Sequence, residues 1–95
     1  MSWNLWLDDE RPCPHDDGWL IAKSTEEAKE LVQKHGPPDR MSLDHDLGGL
    51  DSSMIFVKWL SEGYFNQMPL WRVHSMNPVG KANLESYMGS WARSV

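Results

Sequence analysis

Three short apolar runs in this chain each end abruptly in charged or polar residues. WNLWL runs into Asp8 and Asp9, RMSL into Asp44, His45 and Asp46, and PLWRV into His74 and Ser75. Runs of this length, dense in aliphatic and aromatic residues, are expected of strands buried on both faces of a parallel sheet. Helical patterns separate the later runs, and parallel strands joined through helices all end on one edge. The three polar ends should therefore meet in space, at the edge where open α/β sheets bind ligands.

The pattern predicts strands over 3–9, 20–24, 40–46 and 69–75, with a proline-bearing loop over 10–19 between the first two. Helices are expected over 24–36, 51–65 and 77–91. In the first, Ser24 and Glu27 have capping-box spacing, Ala28, Leu31, Val32 and His35 share a face, and Gly36 followed by two prolines stops it. Asp51 or Ser52 is the expected N-cap of the second, which presents Ile55, Phe56, Trp59 and Leu60. Asn77 and Pro78 suit the N-cap and first turn of the third, whose apolar stripe is Leu84, Tyr87, Met88 and Trp91.

The 95 residues are expected to form one domain, 1–95, with a core of modest size. A lone cysteine, Cys13, excludes an internal disulfide, and with His35 it reads as structural or incidental. The first ten residues lack the basic and apolar regions of a signal peptide, and no apolar run approaches a membrane span, so a cytoplasmic protein with no membrane partner is expected. The net charge of −5 disfavours duplex DNA. A small phosphorylated ligand remains compatible, given a local cation.

Asp8, Asp9, Asp44 and Asp46 on one edge would repel each other unless a cation or shared proton intervened. Such oxygen donors suit a hard divalent ion, Mg²⁺ or Mn²⁺. The same repulsion predicts that neutralising Asp8 would stabilise the metal-free chain. His45 and His74 are candidates for general acid and base. In HSMNPVGK (74–81), Ser75, the amides of a helix beginning near Asn77, close approach at Gly80, and Lys81 could bind phosphate. Arg11 and His15 could reach over the edge from the first loop, and Trp19 is a candidate for stacking on a ring.

The segments LWLDDERP, STEEAKEL, SLDHDLGGLDSSMIFVKWL and VHSMNPVG together resemble two-component receiver domains, and more closely the cyclic-phosphate processing receiver domain family, over about residues 5–82. The resemblance implies that Asp8 and Asp9 bind metal, that Asp44 stands at the phosphoacceptor position, and that Ser75 is the hydroxyl residue closing the fourth strand. It also implies chemistry on a cyclic phosphate. The chain departs from ordinary receivers in having no helix between its first two strands and no fifth strand with a lysine, for which Lys81 could substitute electrostatically.

These readings converge on an α/β fold, a minimal flavodoxin-like or receiver-like parallel sheet of four strands in the order 2-1-3-4 with three helices. The expected function is a metal-dependent phosphoesterase acting on a cyclic phosphate of a nucleotide or RNA end. Asp8, Asp9 and Asp44 would hold the metal, His45, His74, Asp44 and Asp46 would carry the chemistry, and Arg11, Ser75, Asn77, Gly80 and Lys81 would bind phosphate. The alternatives are a stand-alone phosphoacceptor on Asp44, and a non-catalytic binder that sequesters a nucleotide signal or docks a partner protein.

Overall fold

The computed structural model describes residues 2–15 and 18–95, so positions 16 and 17 of the expected first loop lie outside the described residues. Four strands, β1 (Asn4–Leu7), β2 (Trp19–Ala22), β3 (Arg40–Leu43) and β4 (Leu70–Val73), and three helices, α1 (Thr25–His35), α2 (Ser53–Gly63) and α3 (Pro78–Ser94), follow one another in the order β-β-α-β-α-β-α. All neighbouring strands pair in parallel, in the order β2-β1-β3-β4. This is the expected receiver-like α/β fold. Each strand is shorter than the span predicted for it, because the polar ends lie beyond the regular pairing.

Leu5 and Leu7 of β1 stand in register with Leu20 and Ala22 of β2 and with Met41 and Leu43 of β3. Val73 of β4 continues the row. These side chains join Ala28 and Val32 of α1, Phe56, Val57 and Leu60 of α2, and Leu84, Met88 and Trp91 of α3 in one hydrophobic core. The steps from β2 to β3 and from β3 to β4 run in the same direction across the sheet, so right-handed crossovers place their helices on the same face.

The opposite step, from β1 to β2, is made by a loop with no helix. The other face of the sheet is consequently not covered by any helix, which corrects the expectation of strands buried on both faces. Ile21 and Leu70 there are 51% and 68% exposed. Trp6 and Ser42 on that face are buried, and Trp6 donates its indole N–H to the Arg11 carbonyl of the loop at 3.0 Å.

Helix α1 begins at Ser24, whose hydroxyl accepts from the Glu27 amide at 3.1 Å. The Glu27 carboxylate accepts from the Lys23 amide rather than returning to Ser24, so the box is displaced by one residue. Helix α2 starts after Ser52, but no side chain caps it. Asp51 instead accepts from the Thr25 amide at 2.8 Å, tying the start of α2 to the start of α1. The buried face of α2 is also rotated from expectation: Ile55 is exposed, while Ser53, Val57 and Ser61 are buried. Among the described residues, no helix is long and apolar enough to cross a membrane.

Candidate functional site

Backbone hydrogen bonds carry the sheet one residue past β1, β3 and β4. The Asp8 amide donates to the Ala22 carbonyl, Asp44 to Leu7, and His74 to Leu43, at 2.9 to 3.1 Å. Asp8, Asp44 and His74 are thereby fixed at one level along the carboxyl edge, at the point between β1 and β3 where the chain reverses its direction of travel across the sheet.

Asp8 is almost completely buried and fully hydrogen-bonded. Its Oδ1 accepts from the amides of Glu10 and Arg11, both at 2.9 Å, and its Oδ2 accepts from His74 Nε2 at 2.9 Å. Burial alone would raise its pKa; the two amides and His74 outweigh burial and hold it below the ordinary carboxylate value. Neutralising Asp8 would therefore remove compensated charge, contrary to the expectation from simple repulsion.

Asp44 has the opposite balance. Burial and then the charge of Asp8 push its pKa up, and the Ser75 hydroxyl, His74 and Arg11 only partly counter them. Oxygen atoms of Asp8, Asp9 and Asp44 all lie within 4.8 Å of one another. Three carboxylates at that spacing, one buried and one pushed toward its protonated form, make a donor set that fits a hard divalent cation.

The two histidines, expected as an acid–base pair, have different surroundings. A carboxylate can only accept, so His74 Nε2 carries the proton toward Asp8, while Nδ1 lies 2.7 Å from the Ser42 hydroxyl. The ring is stacked on Trp6, with centroids 4.1 Å apart and planes 7° from parallel. With both nitrogens hydrogen-bonded and its side chain 14% exposed, His74 holds Asp8 in place.

His45 Nδ1 pairs with Asp46 Oδ1 at 2.9 Å, and Asn77 Nδ2 donates to Asp46 Oδ2 at 3.2 Å. The His45 hydrogen bond, followed by that from Asn77, lowers the pKa of Asp46. The His45 ring lies where a side chain on Gly80 would be, so the glycine accommodates a histidine of the same chain. This reassigns the close approach expected of a ligand at Gly80.

The start of α3 is likewise largely satisfied from within. Pro78 has no amide hydrogen, the Gly80 amide donates to Asn77 Oδ1, and the Lys81 amide donates to the Asn77 carbonyl. The Asn77 amide is taken by the Ser75 hydroxyl. The helix start expected to face phosphate amides thus offers few, and Asp46 already lies beside it.

The segment carrying Asp44 to Ser52 folds back on itself. Asp46 bridges Ser52, the Asp51 amide donates to the Gly48 carbonyl, and the Ser53 hydroxyl donates to the Asp44 carbonyl. Gly48 turns with φ of +90°, and a Cβ there would stand 3.3 Å from Asp9 Oδ2. The double glycine therefore brings the loop over the acidic cluster.

Asp8, Asp9, Glu10, Arg11, Asp44, Asp46, Gly48, Met76 and Asn77 line one open cleft on this edge. Of the expected site residues, His45, His74, Ser75, Gly80 and Lys81 lie outside that lining. His74 and Ser75 support Asp8 and Asp44 from behind; His45 supports Asp46; Gly80 accommodates His45. Lys81 does not join the cleft. Ser42 and Trp6, which hold His74, escaped sequence reading because both resemble ordinary strand residues. Arg11 reaches the site through Nη1, which donates to the His74 carbonyl at 3.0 Å.

A family model described as the cyclic-phosphate processing receiver domain matches residues 3–90. No curated protein and no solved structure matches the chain.

Proposed function

The chain belongs to the cyclic-phosphate processing receiver domain family, and from that membership and the acidic cleft we propose that it is a metal-dependent phosphoesterase opening a cyclic phosphate on a nucleotide or RNA end. The observation that carries the reading is the convergence of Asp8, Asp9 and Asp44 within 4.8 Å beside Arg11. Asp8, Asp9 and Asp44 would hold Mg²⁺ or Mn²⁺. The ion, when bound, supplies polarisation of the phosphoryl oxygens and offsets the gathered negative charge.

The protein's own groups divide the remaining work. Arg11 lines the cleft from an exposed loop and pairs with the phosphate. Asp46, oriented by His45 and Asn77, is the base that takes a proton from the attacking water. Water adds to phosphorus as Asp46 takes its proton, one ring P–O bond breaks, and the departing oxygen takes a proton from solvent water, leaving an open monoester. His74 acts through Asp8 as a positioning residue.

A second reading is favoured by the Ser75 hydroxyl beside Asp44, the arrangement of a receiver phosphoacceptor. In that case acetyl phosphate with Mg²⁺ yields an acid-labile acyl phosphate on Asp44. The experiment that separates the two is a screen of 2′,3′-cyclic and 3′,5′-cyclic nucleotides with Mg²⁺ or Mn²⁺, read by product. Metal-dependent ring opening that disappears in Asp44→Ala supports the esterase. Ligand recovered unchanged at every metal concentration argues against it.

A further inference from the structure

We propose that the open face of the sheet is a binding groove for single-stranded RNA, with bases stacking at Trp19 and His15 and backbone phosphates paired to Arg40 and Arg72. The inference rests on the esterase reading only for the identity of the strand's end.

The groove is lined by His15, Trp19, Arg40, Ser42, Leu70 and Arg72, together with backbone of β3 and β4. Register places Arg40 opposite Leu70 and Ser42 opposite Arg72 on that face. Both arginines are exposed, and among the described residues neither has an ion-pair partner. In a chain of net charge −5, two such cations on the face without helices offer pairing sites for the phosphates of an anionic strand.

The aromatic groups on the same face form a row. His15 stacks on Trp19 with centroids 4.3 Å apart and planes 19° from parallel, and its ring edge faces Trp6 at 6.0 Å. Trp6 in turn stacks on His74. Stacking surfaces beside arginines on an open sheet suit unpaired bases and their phosphates, and every base has a face to stack. A duplex hides those faces.

The row also leads to the acidic edge. Ser42 lines the groove and hydrogen-bonds His74, which hydrogen-bonds Asp8 in the cleft. The groove and the cleft are thus joined by a chain of hydrogen-bonded side chains, and a strand whose end passes over the loop covering Trp6 would reach the carboxylates. If that end is a 2′,3′-cyclic phosphate the strand must be RNA, because the ring contains the 2′-oxygen. A second copy fits less well: a twofold contact through this face would set its arginines close to their own equivalents.

The test is fluorescence anisotropy of full-length protein with a 5′-labelled single-stranded hexauridylate ending in a 2′,3′-cyclic phosphate, with product measured in the same samples. Saturable binding is expected. It should weaken as salt rises and be at least about tenfold weaker in Arg40→Glu/Arg72→Glu, since two phosphate contacts are reversed. Trp19→Ala should also weaken it, melting curves verifying that both variants are folded. A labelled duplex should not compete.

Absent binding, or binding unchanged in both folded variants, would overturn the groove assignment even if product forms. Saturable binding with these mutational effects but no product would uphold the groove and count against the esterase. Self-association of the wild type that is abolished by the double charge reversal would identify a second copy as the occupant and overturn the proposal.

Discussion

His74 Nε2 lies 2.9 Å from Asp8 Oδ2, and the same imidazole is held by Ser42 and stacked on Trp6. The first and fourth strands are thereby joined across the third at their carboxyl ends. A carboxylate that would otherwise be repelled by Asp44 is fixed in place by two amides and a ring N–H.

Asp8→Asn is accordingly expected to lower the melting temperature. An asparagine NH₂ facing the Glu10 and Arg11 amides sets donor against donor, and facing His74 it forces the other imidazole tautomer, with Nδ1–H donating to Ser42; either way the charge that both amides and the ring N–H satisfy is lost. A loss of about 1–3 kcal/mol is expected from such a buried mismatch. Thermal denaturation without metal measures it, and a rise in Tm would show that repulsion dominates at Asp8.

Asp44→Asn should do the reverse in the absence of metal. Because burial and the charge of Asp8 raise the Asp44 pKa, the folded protein retains a proton that the unfolded chain has released above about 3.8. The contribution of Asp44 to stability therefore declines as pH rises from 3.8 through its raised value, and the penalty persists at neutral pH. Asp8 has the opposite sign: its contribution is present above 3.8 and is lost as pH falls through its lowered value. Urea midpoints from about pH 3 to about pH 7 test this, since the wild type should lose stability relative to Asp44→Asn as pH rises. Each 1 kcal/mol gained in the variant would raise Tm by about 4–8 °C for a domain of this size.

Mg²⁺ or Mn²⁺ should stabilise the wild type, since it binds only the assembled carboxylates. Occupancy at a hundred times Kd corresponds to about 2.7 kcal/mol. The increment should vanish in Asp44→Ala. An unchanged melting curve at millimolar metal would mean that the cleft works without a divalent ion.

Gly80→Ala should destabilise the protein and displace His45, whose ring fills the space a methyl would need. Overpacking of this kind costs about 1–3 kcal/mol. His45→Ala should relieve much of that cost in the double variant, and a double-mutant cycle reads the coupling. Additive effects would place the Gly80 requirement elsewhere.

The sequence alone determined the order of strands and helices, their parallel arrangement and the gathering of Asp8, Asp9 and Asp44 at one edge. These follow from local apolar runs, caps and the geometry of crossovers, which act over a few residues or through connectivity. The missing helix between β1 and β2 is also legible in the sequence, and it removes the one crossover that would have covered the second face.

What only the tertiary structure decided is which charges are satisfied. Nothing near His74 in the chain indicates that Asp8, Ser42 and Trp6, each more than 30 residues away, engage both ring nitrogens and one face. Similarly, the glycine of HSMNPVG suggests space for a ligand in the sequence, whereas the fold puts His45 against it. Hydrogen-bond satisfaction and close packing depend on distances between strands and loops remote in sequence, and those distances exist only once the sheet has formed.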